Sequence, residues 1–377
     1  MRIWKIKRFC LKQAVLILIA IVATFTVTCK ANNIYSSQAE ILETDSLTRA
    51  LPDDAKILLK EYSIQKGISF ENGIKAILDK GSRQTGGILR SAIRSAVSVL
   101  LIVLCCGIAQ TLFEAGSSAV PNYVTMVGAL ALSLTVSSEL TSFIGLGRSL
   151  IEGLDTFSKA LSATLAAAAS AMGRPATAVA KYMATALFMD VLITIINRLI
   201  MPILYAYIAA VTANAALGDN MLGKLSSFLK WSCLTTLGLI VTAFSTYLTI
   251  TGIIAGSTDA VALKATKMVL SNAIPVVGKM LSDASETILA STRILRNSVG
   301  IFGMIGVLAI CVTPFLRLGI QYLLFKVIAI VSSSFCEKRL SDLIDSLAGA
   351  FGIIMGMLGA CVIIIIISIV SVISVIG

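Results

Sequence analysis

Six apolar runs constrain this chain more than any other feature. They fall at 93–113, 122–144, 182–216, 232–256, 299–335 and 348–376, and a helix needs ~20 apolar residues to cross the hydrocarbon core. Inside lipid, every backbone N–H and C=O must find its partner within the spanning element, which leaves helices as the natural solution. The prediction is an all-α, polytopic helical membrane protein. Two runs exceed an ordinary pass: 182–216, which holds Asp190, Arg198 and Pro202, and 299–335, which holds Pro314 and Arg317. Each reads as a broken helix or a tight hairpin, so six to eight spans are expected. Composition agrees, with 57% hydrophobic and 14% charged residues, against about a quarter charged in soluble domains.

Ahead of these runs, residues 1–31 carry a basic start, an apolar core from Ala14 to Val27, and small residues at Cys29 and Ala31. This is a signal-peptide pattern with a cut before Asn32, the alternative being an uncleaved anchor helix. Residues 32–92 read as an extracytoplasmic helical segment, and 93–377 as the polytopic membrane domain. Pro52-Asp53-Asp54 opens a helix that Gly67 can stop, and Ser69 caps a second that Gly81 can stop. The leader then places the 113–121 loop in the cytoplasm and the 145–181 loop outside. Counting Lys and Arg gives the opposite, because 113–121 has none while 145–181 has Arg148, Lys159, Arg174 and Lys181. The five basic residues that precede the first apolar run are the stronger cue.

Charge and residue types exclude several functions. The net charge of +11 falls to +5 once the six basic residues of the leader are set aside, ordinary for short membrane loops and no footprint of nucleic-acid binding. There is no histidine, which removes histidine triads and HExxH zinc sites. None of the eight cysteines forms a CxxC pair. Gly278-Lys279 resembles the end of a P-loop only superficially, since Ala273 stands where the first glycine belongs and Met280 replaces the Ser or Thr. No catalytic residue, metal or cofactor is expected, and the chain does not read as an enzyme.

The polar residues that remain are patterned. From 257 to 297 two amphipathic limbs meet at Ile274-Pro275-Val276-Val277-Gly278. Lys264 and Lys267 share one face of the first limb; Lys279, Asp283, Glu286 and Arg293 share one face of the second. These residues, with Pro275 and Gly278, are the candidate lumen or gate. A further amphipathic helix is expected at 145–173, where Arg148–Glu152 and Asp155–Lys159 are spaced to pair. Asp190 and Arg198 are the candidate intramembrane charges, either functional or structural, through mutual pairing or snorkelling near a helix end. In the last span Ala348, Gly352, Gly356 and Ala360 recur every four residues, a smooth ridge for close helix packing within the chain or, as the alternative, for contact in a homo-oligomer, with Ile363 to Ile367 facing lipid.

The segment Ile253-Ile254-Ala255-Gly256-Ser257-Thr258-Asp259-Ala260-Val261-Ala262-Leu263-Lys264, followed by Asn272-Ala273-Ile274-Pro275-Val276-Val277-Gly278-Lys279-Met280-Leu281-Ser282-Asp283-Ala284, resembles the stage III sporulation protein AE family. More loosely, the resemblance extends over most of the chain. It implies a mother-cell membrane protein of endospore formers, in the membrane around the engulfed forespore. There it would contribute to a channel or secretion-like complex that supports forespore integrity and late gene expression. The implied partners are the other stage III A proteins, including an ATPase and ring-forming members, and stage II sporulation protein Q. No active-site residue comes with the resemblance. A secondary transporter with a re-entrant gate at 257–297 is the competing expectation; interfacial helices that only anchor the chain are a third.

Overall fold

The computed structural model describes residues 44–53, 55–56, 70–114, 121–171, 175–273 and 277–374, with the backbone course alone for 252–298. Every regular element among the described residues is helical. After a short α1 (Thr44–Arg49) come α2 (Phe70–Glu114), α3 (Pro121–Ala171), α4 (Pro175–Ile195), α5 (Met201–Leu217), α6 (Asn220–Ala273), α7 (Val277–Ser332) and α8 (Lys338–Ser374). Six stretches are long and apolar enough to span a bilayer: Gly86–Leu112, Tyr123–Ala167, Val179–Leu217, Asn220–Thr251, Val299–Ser332 and Lys338–Val372. The expected all-α polytopic architecture is therefore present, with six candidate spans.

Both overlong runs are single passes. Between α4 and α5 the chain does not turn back but loosens into one π-helical turn, Ile196–Ile200, where the Met201 N–H bonds to the Ile196 carbonyl. The cause is Pro202, whose ring would crowd the carbonyl one turn earlier, and a widened turn makes room for it. Pro314 lies within α7 without ending it. The amphipathic stretch from residue 145 is likewise continuous with the span before it, as the second half of α3. Helix breaks come where the chemistry requires them. Pro121 and Pro175 open α3 and α4, and Gly218 takes the left-handed φ of 71° that closes α5, with its N–H on the Asn214 carbonyl at 2.8 Å. Asp219 then caps α6, accepting from the Met221 N–H at 2.9 Å.

Close contacts fix the direction of the helices. Gly73 meets Ile305 and Gly107 meets Phe335, so α2 and α7 run parallel. Gly128 meets Leu340 and Gly147 meets Ile354, so α3 and α8 run parallel. Gly303 and Gly306 receive Leu161 and Phe157, so α3 and α7 are antiparallel. The bundle is up-and-down, with the ends at 114, 121, 217, 220, 332 and 338 gathered on one side.

At its centre lies α8, packed against α3, α4, α5, α6 and α7. Ala348 and Ala360 are buried, Gly352 faces Tyr322, and Gly356 faces Leu234 and Leu237, so the small-residue ridge serves contacts within the chain. The expectation that Ile363 to Ile367 face lipid needs correction. Ile364 and Ile365 are fully buried, Ile366 and Ile367 are half-buried and Ile363 is exposed, because five helices pack on α8 and leave one partly open stripe along it.

Candidate functional site

Polar side chains join the helices at three levels. Nearest the 114/121 end, Gln110 donates to the Thr125 hydroxyl at 3.0 Å, and that hydroxyl donates to the Glu337 carboxylate. Glu337 also pairs with Arg339 at 3.2 Å. The Glu337 N–H donates back to the Gln110 side-chain oxygen Oε1 at 3.4 Å. Beside it, Cys336 donates to the Val103 carbonyl at 2.9 Å. Burial pushes that thiol up to about 11, so it stays protonated at neutral pH and serves as a donor rather than a nucleophile.

In the middle of the bundle, Ser95 of α2 donates to the Glu139 carboxylate of α3. Gln321 of α7 donates to Glu139 at 2.9 Å and to Ser95 at 3.0 Å. Three helices thus share one part-buried polar knot. Because removing the carboxylate leaves the Ser95 hydroxyl and the Gln321 amide without their acceptor, Glu139→Leu is expected to lower stability by ~1–2 kcal/mol while Glu139→Gln stays close to wild type. Thermal unfolding in detergent checks this, and equal midpoints for the two variants would show that the knot holds nothing together.

At the third level, Lys159 of α3 bonds Asp155 at 2.8 Å and Asp190 of α4 at 2.9 Å. Lys181, 2% exposed, donates to the Ser371 carbonyl and hydroxyl near the end of α8, where orphan carbonyls favour a cation. One turn on, Thr185 shares a hydrogen bond with Ser368 at 2.5 Å.

The sequence-derived candidates fare unevenly against this geometry. Asp190 does have a salt-bridge partner, but it is Lys159 rather than Arg198. Arg198 sits in the π-helical turn and forms no ion pair among the described residues. Lys264 and Lys267 lie on α6, and Gly278, Lys279, Asp283, Glu286 and Arg293 on α7, within the stretch where only the backbone course is described. Pro275 lies outside the described residues. Both limbs are uninterrupted continuations of spans, 220–251 and 299–332, rather than separate pieces folded back between them. Ser95, Glu139, Gln321 and Lys181 were missed. The available signal was a lone acid or amide inside an apolar run, which Glu139 and Gln321 both are.

Six apolar helices knitted by interhelical polar contacts, with no group of His, Cys, Asp and Glu able to hold a metal among the described residues, define a polytopic helical membrane protein. The family profile "Stage III sporulation protein AE" matches residues 55–376, essentially the whole helical bundle, and the chain belongs to that family. It is similar to the stage III sporulation protein AE of Bacillus subtilis (strain 168), 22% identical over 253 residues, covering 67% of this chain and 60% of that relative. No solved structure matches it.

Proposed function

We propose that this chain is a non-enzymatic membrane component of the channel or secretion-like complex between mother cell and forespore. It sits in the mother-cell membrane around the forespore and works there with the other stage III A proteins, the ATPase and ring-forming members included, and with stage II sporulation protein Q. Its role is to keep the forespore intact and competent for late gene expression. The observation that carries this reading is the family match from residue 55 to residue 376, which runs through the 257–297 hairpin as well as the spans.

Within that assembly the hairpin is the part assigned to the conduit. Its limbs extend α6 and α7, two helices rooted in the bundle. Each carries a polar stripe, Lys264 and Lys267 on the first, Lys279, Asp283, Glu286 and Arg293 on the second, opposite apolar faces that can pack on neighbours. Such stripes suit a polar lumen or the surface of a partner. Lys279→Leu and Asp283→Leu are expected to reduce heat-resistant spores by an order of magnitude or more, with unchanged amounts of protein in the membrane. Wild-type sporulation in both variants would remove the conduit role. Separately, the protein should co-purify with the other stage III A proteins. A chain that purifies alone and moves a solute down an ion gradient in vesicles would instead be a transporter.

A further inference from the structure

Polar side chains also gather where α6, α7 and α8 meet, apart from the three levels described above. Lys338, Asp342 and Asp345 follow one another along one face of α8, at spacings of four and three. Lys326 of α7 pairs with Asp345 at 2.5 Å, and its ammonium lies 5.8 Å from the centre of the Tyr322 ring. One turn further along α8 stands Gly349. A Cβ there would lie 2.8 Å from Lys230 Nζ of α6 and 2.8 Å from Tyr207 Oη of α5, so the ammonium and the hydroxyl take the place of a side chain. Tyr207 is held there by donating to the Ser346 carbonyl at 2.6 Å. Three lysines thus stand with two aspartates, and the Lys326–Asp345 pair is open to its surroundings, its side chains 30% and 49% exposed.

From this cluster towards the end of α8 runs a groove. Its floor is the partly open stripe of α8, where Gly352, Gly356, Gly359 and Ile363 are half-buried or exposed in step with the helical repeat. One wall is α6, since Gly356 meets Leu234 and Leu237; the other is α7, since Gly352 meets Tyr322. Nothing lies within 4 Å of a Cβ at Gly359. Phe315 and Leu308, two and four turns before Tyr322 on the same side of α7, are half-buried as well. Beyond Asp345 the sequence of α8 has no charged residue. The groove is therefore charged at one end and apolar along its length.

The charges belong to the mouth of this groove and not to the bundle surface around it, because α7 exposes Leu323, Val327 and Ile330 on either side of Lys326. Next to Lys230, Trp231 is 60% exposed and lies against Phe228, ring centroids 5.9 Å apart. Lysine, tyrosine and tryptophan at the head of an apolar surface are the side chains that meet phospholipid headgroups. The length fits too. From Gly352 to Ile363 is 11 residues, roughly 16 Å, about half of a hydrocarbon core of ~30 Å and so the depth that one leaflet's acyl chains fill.

We infer that the groove between α6 and α7 is a binding site for one acidic phospholipid, with its phosphate between Lys230 and Lys326 and an acyl chain laid along α8 over Gly352, Gly356 and Gly359. Asp345 holds the Lys326 ammonium at the mouth. Three lysines against two aspartates leave one positive charge in excess, which selects an anionic head over a zwitterionic one. The glycines keep the floor low enough for the chain, and a large side chain at position 359 would occupy its place. The site is independent of the conduit role proposed above.

Trp231 reports on the site once Trp4→Phe has made it the sole tryptophan. Full-length protein with that change is placed in phosphatidylcholine vesicles in which a minor fraction of the lipid carries brominated acyl chains, either as phosphatidylglycerol or as phosphatidylcholine. At equal fractions the brominated phosphatidylglycerol should quench Trp231 roughly twice as strongly. Equal quenching overturns the inference; so does the absence of quenching by either lipid, which would mean that protein covers the groove. K230Q/K326Q should abolish the preference, and a preference that survives is equally fatal. Should that variant not fold, Gly359→Leu, which meets open space, is expected to keep the wild-type unfolding midpoint and lose the preference; an undiminished preference there overturns the acyl-chain path. Inorganic phosphate, compared with sodium chloride at the same ionic strength, should leave the preference intact. A loss specific to phosphate would assign the lysines to a free anion instead.

Discussion

Phe157→Ala is expected to lower stability by about 3–5 kcal/mol. The Phe157 ring is fully buried where α3 crosses α7, and it fits only because position 306 is glycine. A Cβ at Gly306 would stand 2.5 Å from the ring's Cζ. Removing the ring opens a void between two long helices held on either side by other contacts, Gly303 against Leu161 and Gln321 on Glu139, so collapse is limited. Phe228 offers the control. At 58% exposed it contributes little to the core, and Phe228→Ala should stay within about 0.5 kcal/mol of wild type. Denaturant titration of the purified protein in detergent measures both. If the two variants unfold together, the α3–α7 crossing does not support the fold.

Why the spans were legible and their ends were not follows from these same helices. A run such as 348–376 is apolar whichever way its helix turns, so existence and type of element could be read at once. What hydropathy could not supply is where lipid stops. In α3 the run 122–144 ends at a drop in hydropathy, yet the backbone continues to Ala171, because Ala, Ser and Leu at 160–171 are compatible with a helix in water as well. A change of solvent does not require a change of secondary structure. The same point bears on the topology conflict. Of the four basic residues assigned to a 145–181 loop, Arg148 and Lys159 lie on α3, and Lys181 is buried on α4. A rule for short loops therefore had only Arg174 to count there. The central place of α8 was equally hidden: an isoleucine run is as well suited to a core as to lipid, and only the packing of five neighbours decides between them.

Polar contacts show the opposite balance. Pairs four residues apart, such as Arg148–Glu152 and Asp155–Lys159, were readable from spacing because a helix fixes their geometry. The Ser95–Glu139–Gln321 knot joins residues up to 226 positions apart, and no local pattern connects them. Asp190 lay between the two cases. Its need for a cation was evident, but Arg198, eight residues on along an apolar helix, was the only nearby choice in sequence, whereas Lys159 became adjacent through the antiparallel packing of α3 and α4.

Gly107→Val should disrupt the other end of the bundle, by about 3 kcal/mol or more, and here the sign of a paired substitution makes the test sharp. At Gly107 a Cβ would come within 2.5 Å of the Phe335 carbonyl oxygen and 3.5 Å of Cys336 Sγ. A side chain could rotate away; this carbonyl cannot, because the Phe335 and Cys336 N–H groups are both held on the Ser332 carbonyl at 3.0 Å. Even alanine should force the 333–337 turn off α2, at ~1–3 kcal/mol. Lifting that turn also breaks the Cys336–Val103 and Glu337–Gln110 hydrogen bonds, so Cys336 should react faster with a thiol reagent. At Gly238 nothing lies within 4 Å, and Gly238→Ala should be neutral or stabilise the helix by up to ~1 kcal/mol. Opposite signs at two glycines in helices of the same protein cannot come from helix propensity, which favours alanine at both. A destabilised Gly107→Ala with faster Cys336 labelling therefore isolates the backbone contact, while matching behaviour at the two positions would mean that the turn does not rest on α2.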